Sequence, residues 1–263
     1  MTIDTHFHYP SMLRRDNTLS LPESIIGLEI GLDGGDLESR IKLIGNNKNI
    51  YLSVGAGPWV LDREDFVSID DEVEKLENDI IQYGADAIGE IGFDNHWAYG
   101  TKEMQLELFS KQIELARKYN LPVSIHSRDA DVELENAIKE RAIDDKTILH
   151  CFSSGPEMCS KLLESDAYIS FAGNVTYKGN KLIQEAVRIV PSDRILVETD
   201  SPYLAPGKMR GKLNNPENTE ITLDYLASLR CEDKEALKET IINNFLRLMG
   251  SSESKVKRDI ATI

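Results

Sequence analysis

The sequence predicts an α/β protein whose fold is a (β/α)8 TIM barrel. Three observations lead to this prediction: the length of 263 residues, the alternation of eight apolar strand-like segments with helical ones, and the polar residues that end most of those strands. A barrel of this kind takes about 250 residues and brings the carboxyl ends of all its strands to one mouth. A doubly wound open sheet is the structural alternative, and the position of the polar residues at strand ends favours the barrel.

Eight short segments have the apolar and β-branched composition of buried strands. They are residues 3–8, 25–30, 50–55, 87–91, 123–126, 147–150, 168–172 and 195–198. The clearest helical pattern covers residues 103–119, and its predicted apolar face is formed by Leu106, Phe109, Ile113 and Ala116. Residues 23–39 are ambiguous, because residues 31–35 resemble a turn and the helix expected after them is poorly marked. No linker and no fixed repeat divides the chain, so we expect one domain over residues 1–263.

Net charge restricts the classes of function that the chain can have. The formal net charge is −15 at pH 7, which argues against a protein that holds nucleic acid through a broad basic surface. Any contact with nucleic acid must therefore be local. Much of the acidity lies in stretches such as residues 70–77, where Val73, Leu76 and Ile80 repeat at helical spacing. Such a stretch predicts a solvated helix face.

Cysteine usage and hydropathy indicate a cytoplasmic protein. The three cysteines are an odd number and lack the paired spacing of a disulfide framework or a zinc ribbon. The first predicted strand begins almost at once, which leaves no signal peptide, and no apolar run reaches the ~18 residues of a membrane span. We therefore expect a soluble protein with no membrane contact, and the sequence identifies no protein partner.

Six residues have the types and positions expected of metal ligands. They are His6, His8, Glu90, His126, His150 and Asp200. Alternate residues of a strand share a face, so His6 and His8 can direct two imidazoles at one point, where a divalent cation would bind. A lone histidine at a strand end is more often a hydrogen-bonded core residue, and Asp200 has the alternative of capping a helix. Together the six are typical of a two-metal hydrolase, since a buried Glu90 needs a cationic partner.

Four basic residues are candidates for substrate contacts. They are Arg128, Lys208, Arg210 and Lys212. Arg128 follows a predicted ligand by two positions, so its planar guanidinium either binds a phosphate there or pairs with Asp129 or Asp131. The loop of residues 206–215 concentrates the three other cations in an acidic chain. Such a loop is often merely solvated, but next to the mouth of a barrel it predicts a phosphodiester contact.

The fifth histidine of the chain, His96, lies in a loop rich in aromatic residues, 94–100. One interpretation is an ordered surface loop held by packing of Trp97. The other is a substrate contact beside Glu90.

Six segments form an ordered set of motifs. They are Asp4-Thr5-His6-Phe7-His8, Gly89-Glu90-Ile91-Gly92-Phe93-Asp94, residues 121–128, residues 149–153, residues 196–204 and residues 210–216. As a set they resemble the TatD family of metal-dependent deoxyribonucleases. The resemblance implies a TIM-barrel metallohydrolase of the amidohydrolase superfamily that acts on DNA phosphodiesters, in several members from the 3′ end. It also implies a division of ligands: one metal takes His6, His8, Glu90 and Asp200, and the other takes Glu90, His126 and His150.

This ligand set implies a mechanism. Two divalent cations, Mg, Mn or Zn, would activate a water molecule and polarise a phosphoryl oxygen of DNA or a small phosphodiester. Asp200 would act as the proton-transferring catalytic residue beside the bridging Glu90, and Glu198, on the same face of the strand, would support the ligands. The alternatives are a hydrolase of another small phosphoester, amide or lactone on the same scaffold, and a non-enzymatic interaction protein built on a relict barrel.

Overall fold

The computed structural model describes residues 1–258, and within them eight strands form one parallel sheet in which each strand pairs with the next along the chain. The strands are β1 (Thr2–Phe7), β2 (Ile25–Glu29), β3 (Ile50–Val54), β4 (Ala87–Asp94), β5 (Val123–Arg128), β6 (Thr147–Leu149), β7 (Tyr168–Phe171) and β8 (Ile195–Val197). The predicted (β/α)8 barrel is confirmed. The extension of this domain to the end of the chain stays a prediction, because residues 259–263 lie outside the described part.

Helices follow the strands and cover the outside of the barrel. They are α1 (Tyr9–Arg15), α2 (Leu37–Ile44), α3 (Ile69–Tyr83), α4 (Lys102–Tyr119), α5 (Asp131–Lys139), α6 (Pro156–Leu163), α7 (Lys181–Ile189), α8 (Thr219–Arg230) and α9 (Lys234–Met249). The ambiguous segment 23–39 thus contains β2, a turn and the start of α2. Two helix starts follow from local chemistry, since Ser68 and Thr101 accept hydrogen bonds from the first-turn amides of α3 and α4. None of the helices within residues 1–258 is long and apolar enough to cross a membrane.

The barrel closes where β1 meets the end of β8. The amide of Asp200 donates to the carbonyl of His6 over 3.0 Å, and the amide of His8 donates to the carbonyl of Ser201 over 2.8 Å. Below these bonds, Asp4 accepts from the amide of Thr199 over 2.9 Å. The first strand and the segment after the last one therefore form one continuous wall at the mouth.

Strand lengths differ from the prediction mainly in β4, which runs to Asp94 rather than ending at residue 91. Gly92 explains the extension. A Cβ atom at this position would lie 2.0 Å from the carbonyl oxygen of His126, and the φ angle is +141°, so only glycine lets β4 run this close to β5. His8, His150 and Glu198 lie one residue beyond their strands instead of ending them, a difference within the usual spread of strand boundaries.

Two predictions about helix faces are wrong in detail. Leu106 was expected on the apolar face of α4 but is 44% exposed. Glu72 was expected on the solvated face of α3 but is 1% exposed. Its carboxylate accepts a hydrogen bond from the amide of Gly34 over 2.8 Å and pairs with Arg63 over 3.2 Å. Helical periodicity does not reveal such a partner, because the partner belongs to a different βα loop.

The segment after α9 packs across the amino-terminal end of the barrel. Ser254 donates its hydroxyl to Asp86 over 2.6 Å, and the amide of Lys255 donates to the same carboxylate over 2.7 Å. The hydroxyl of Tyr51 donates to the carbonyl of Ser251 over 2.8 Å. Burial raises the pKa of Asp86, an effect that these hydrogen bonds partly offset.

Candidate metal centre

The carboxyl ends of the strands surround a cavity of about 710 Å³. The six predicted ligands meet there: His6, His8, Glu90, His126, His150 and Asp200. Five of them line the cavity, and His6 is fully buried beside them. They come from β1, β4, β5 and the ends of β6 and β8, so the barrel topology alone brings them together.

Glu90 lies at the centre of this cluster and divides the histidines into two pairs. Its Oε1 atom lies 2.8 Å from Nδ1 of His126 and 2.8 Å from Nε2 of His150. Its Oε2 atom lies 3.4 Å from Nε2 of His6 and 3.6 Å from Nε2 of His8. Each carboxylate oxygen therefore faces its own pair of imidazoles, which is the arrangement needed by a group that bridges two cations.

Asp200 completes the half of the cluster that contains the β1 histidines. Its Oδ1 atom lies 3.4 Å from Nε2 of His8 and 3.9 Å from Nε2 of His6. The donor atoms of these three residues all lie within 4.8 Å of one another. The backbone of Asp200 has a φ angle of +56°, a left-handed conformation that aspartate tolerates better than most residues. This turn directs its carboxylate into the mouth, and no helix starts at this residue.

Three of the four histidines are held on their far side by a hydrogen-bonding partner. Nδ1 of His150 lies 3.2 Å from Oε1 of Glu198, which also accepts the amide of Cys151 over 2.8 Å. Nε2 of His126 lies 3.1 Å from Oδ2 of Asp94, and Nδ1 of His6 lies 3.3 Å from Oγ of Ser124. Such partners fix the tautomer and the ring orientation of a metal-binding imidazole.

Two of these partners, Asp94 and Ser124, were not predicted from the sequence. A signal for Asp94 was available, since it ends the motif that contains Glu90. Alternation along β4 also places it four residues after Glu90, on the same face. The strand was predicted to end at residue 91, so this register was not extended to Asp94. Ser124 carries no comparable signal, because serine is common inside barrel strands for packing reasons.

Opposite charges determine the protonation equilibria of the cluster. Burial acts to raise the pKa of Glu90, but the charge of His150 and hydrogen bonds from His126 and His150 hold it well below its ordinary value. Burial acts to lower the pKa of His150, yet the carboxylates of Glu90 and Glu198 raise it well above the ordinary value. Burial lowers the pKa of His6. The carboxylates thus make this pocket strongly attractive to positive charge.

The contact distances and the donor types fit bound cations. Nε2 of His6 is buried and has no hydrogen-bond partner among the described residues 1–258, although it faces oxygens of Glu90 and Asp200 at 3.4 and 3.9 Å. Such separations are too long for good hydrogen bonds, but they suit atoms that converge on one ion. Imidazole and carboxylate together accept zinc, manganese and, with fewer nitrogen ligands, magnesium. The residues present therefore fit a divalent metal.

Arg128 lines the cavity on the β5 side. Its guanidinium carbon lies 5.7 Å from the centre of the Trp97 ring, and no ion pair joins it to Asp129 or Asp131 within residues 1–258. A stacked guanidinium without a carboxylate partner keeps its hydrogen-bonding edge free for a ligand. The geometry favours the phosphate interpretation of Arg128 over the ion-pair interpretation.

His96 does not line the cavity in the described part of the chain. Its Nδ1 atom lies 3.4 Å from Oδ2 of Asp129, and its ring contacts Trp97 edge-on. Both His96 and Asp129 are exposed. These contacts favour the ordered surface loop over the substrate contact.

The predicted basic loop lies beside the cavity rather than in its wall. Lys208, Arg210 and Lys212 are exposed and do not line the cavity, as far as the structure describes it. The guanidinium of Arg210 lies 4.6 Å from the ring centre of Tyr177, after β7. A substrate must therefore extend beyond the metal centre to contact this loop.

A barrel that carries an imidazole and carboxylate cluster at the carboxyl ends of its strands defines a class, the TIM-barrel metallohydrolases. Sequence comparison narrows the class. The family described as TatD related DNase matches residues 3–250. The chain is 37% identical over 216 residues to the uncharacterized metal-dependent hydrolase YcfH of Escherichia coli K12, covering 82% of this chain and 79% of that protein. It is 31% identical over 255 residues to the uncharacterized metal-dependent hydrolase YabD of Bacillus subtilis, covering 94% and 98%.

The chain therefore belongs to the TatD family of metal-dependent hydrolases, as the motifs predicted. Solved structures agree on the fold. The TatD homolog YJJV from Escherichia coli has a TM-score of 0.80 at 24% identity and covers 94% of this chain and 97% of its own. A TatD family hydrolase from Entamoeba histolytica has a TM-score of 0.74 at 20% identity, with the same coverage of 94% and 97%.

Proposed function

We propose that the protein hydrolyses phosphodiester bonds of DNA, releasing nucleotides from the 3′ end with the help of two divalent cations. One observation carries the proposal: the two oxygens of Glu90 face separate pairs of imidazoles, at 2.8 Å on one side and 3.4 to 3.6 Å on the other. Two-metal sites of this type serve in-line displacement at phosphorus. The family description, TatD related DNase, supports the same substrate.

The ligands divide between two positions in this proposal. His6, His8, Glu90 and Asp200 would hold one cation, and Glu90, His126 and His150 would hold the other. When bound, the cations would supply an activated water molecule and a polarised phosphoryl oxygen. Glu198 and Asp94 keep His150 and His126 in the tautomer that offers a free nitrogen to the ion.

Side chains at the mouth of the barrel carry out the proton transfer and bind the phosphates of the substrate. Asp200 lines the cavity and has a second carboxylate oxygen, so it accepts the proton of the attacking water and returns it to the departing 3′-oxygen. Arg128, stacked on Trp97, binds a non-bridging oxygen of the phosphate with its planar fork. Lys208, Arg210 and Lys212 contact phosphates farther along the strand, outside the cavity.

Phosphodiesters are favoured over amides or lactones as substrates, because the basic side chains near the mouth would have no role with an uncharged substrate. A relict barrel without activity is disfavoured, because the six candidate ligands lie together and have hydrogen-bonding partners beside them. Several structural neighbours are enzymes named for other substrates, among them a dihydroorotase with a TM-score of 0.59 at 12% identity. Likeness at that level concerns the scaffold alone.

The test is an activity profile of protein stripped with a chelator and reloaded with zinc, manganese or magnesium. Substrates are single-stranded DNA labelled at either end, duplex DNA, RNA, dinucleotides, a chromogenic phosphodiester and, as the rival class, lactones and amides. We expect stepwise shortening of DNA from the 3′ end, only after metal is restored. Hydrolysis of a lactone or amide at higher kcat/KM than any phosphodiester would overturn the proposal, as would full activity of the metal-free protein.

A further inference from the structure

Three segments that surround one side of the mouth are free of acidic residues. They are residues 9–15 after β1, residues 171–184 at the end of β7 and beyond, and residues 201–216 after β8. Together they contain seven basic residues and no Asp or Glu, in a chain with 45 acidic and 30 basic residues. We call these seven residues the basic tract: Arg14, Arg15, Lys178, Lys181, Lys208, Arg210 and Lys212.

The three segments form one continuous surface. β7, β8 and β1 are neighbours around the barrel. The hydroxyl of Tyr177 donates to the carbonyl of Ala205 over 2.9 Å, and the amide of Gly207 donates to Oγ1 of Thr176 over 2.6 Å. All seven basic side chains are exposed. The tract is therefore a single patch although its residues are distant in sequence.

No member of the tract forms an ion pair within residues 1–258, whereas Arg63 near the opposite rim forms three. Arg63, on the loop after β3, contacts Asp33 at 2.9 Å, Asp65 at 3.0 Å and Glu72 at 3.2 Å. The loops after β2 and β3 are acidic, with five carboxylates in residues 31–36 and 55–68. The tract thus gives one side of the mouth a positive character, and a polyanion leaving the metal centre is attracted to that side.

Aromatic rings accompany the cations of the tract. The guanidinium of Arg15 lies 4.9 Å from the ring centre of Tyr203, and that of Arg210 lies 4.6 Å from the ring centre of Tyr177. The Tyr203 ring lies 6.4 Å from the ring of His8 and is 44% exposed. An exposed aromatic face next to a free cation is the combination that binds an unstacked base and its phosphate.

We propose that the basic tract, with Tyr203 and Tyr177, is a binding track for the part of a single nucleic acid strand that continues beyond the bond being cut. The strand leaves the metal centre past His8, stacks a base on Tyr203 and continues over the β7 and β8 loops. This inference rests on the proposed phosphodiesterase function and deepens it. With such a track, the preferred substrate is a strand of several nucleotides. Arg14, Arg15, Lys178 and Lys181 then bind phosphates of the strand, a role that the chemistry at the metal centre does not require.

The test compares kcat/KM for single-stranded oligonucleotides from two to twelve nucleotides. In the native protein the value should rise with length and then level off. In the triple variant Arg15→Gln, Lys178→Gln, Lys181→Gln the advantage of the twelve-mer over the dinucleotide should fall by roughly ten-fold, mainly through KM. The matched control is Lys139→Gln, Arg141→Gln, Arg188→Gln. It removes three exposed cations that lie near the other end of the barrel and have no ion-pair partner among residues 1–258. It should behave as the native protein does.

Tyr203→Leu separates base stacking from charge. It should weaken binding of a twelve-mer by roughly ten-fold while leaving the salt dependence of binding unchanged, whereas the triple charge variant should make that dependence shallower by about 2 in log–log slope. Binding is measured by fluorescence anisotropy with chelator present, so this measurement does not depend on catalysis.

If the chromogenic diester and all oligonucleotides resist cleavage while the twelve-mer still binds through the tract, the proposed function fails and the track stands. Equal kcat/KM at every length, or equal effects of the tract and control variants, overturns the track.

Discussion

The metal centre and the basic tract lie side by side at the same mouth but are built in opposite ways. The centre is buried, and its imidazoles and carboxylates lie 2.8 to 3.9 Å apart. The tract is exposed, and its cations have no carboxylate partner among residues 1–258. Three of the four histidines of the centre are held on their far side by a hydrogen-bonding partner. The cations of the tract can bind a ligand because no carboxylate among residues 1–258 pairs with them.

This difference suggests that the metal centre supplies the chemistry and the basic tract supplies affinity for the substrate. Groups that perform a reaction must be held in place before the substrate arrives, which requires burial and supporting hydrogen bonds. Groups that bind a flexible polyanion need only be close, positive and adaptable. Changes in the centre should therefore act on kcat and on metal content, whereas changes in the tract should act on KM and on salt dependence.

The largest effect is expected for Glu90→Gln. The amide preserves the shape of the side chain but removes the negative charge shared by the two halves of the centre, so kcat should fall by more than about 100-fold. Circular dichroism and thermal unfolding should still report a folded barrel. Full activity of this variant at saturating metal would contradict the bridging role of Glu90.

His126→Ala should change metal content rather than abolish it. His126 and His150 serve one side of Glu90 only, so bound metal should fall from about two ions towards one per chain. Elemental analysis of the purified protein measures the ratio. His96→Ala is the matched control, because that histidine is exposed and pairs with Asp129 outside the cavity. An unchanged ratio in His126→Ala would mean that the ligands are wrongly assigned.

Glu198→Gln should weaken metal binding without removing a predicted ligand. The amide can still contact His150 but no longer favours the tautomer and charge distribution that the carboxylate supports, which costs about 10- to 100-fold in metal affinity. Competition with a chelator measures the affinity. A Glu185→Gln change on the exposed face of α7 serves as the control. Equal affinities in both variants would limit Glu198 to a packing role.

The smallest effect is expected for replacing Lys208, Arg210 and Lys212 by alanine. KM for an oligonucleotide should rise several-fold, and much more than KM for a small chromogenic diester that contacts only the centre. The salt dependence of strand binding should also become shallower, since each lost phosphate contact removes about 0.7 from the log–log slope for single strands. Equal changes for both substrates would show that the loop has a structural role instead.

The sequence predicted the barrel and the six candidate ligands because both depend on order along the chain. In a (β/α)8 barrel, polar residues at the ends of the strands meet at one mouth regardless of the structure of the loops. The polar contacts around them depend on packing between elements, which is why Asp94 and Ser124 were missed and Glu72 was misplaced. The pairing of Arg15 with Tyr203 is also a tertiary contact, made between the first helix and the loop after the last strand. No periodicity in the sequence marks it.

The wall formed by β1 and the end of β8 has a consequence for the timing of synthesis. Asp4 and Thr199, which bond to each other there, are 195 positions apart in the chain. A ribosome therefore releases His6 and His8 long before Asp200, because Asp200 follows His8 by 192 positions in the sequence. A chain released only as far as Glu198 therefore lacks one side of the centre and, under the proposed function, cannot cut nucleic acids. The centre is complete only once β1 has paired with the segment after β8 and closed the barrel.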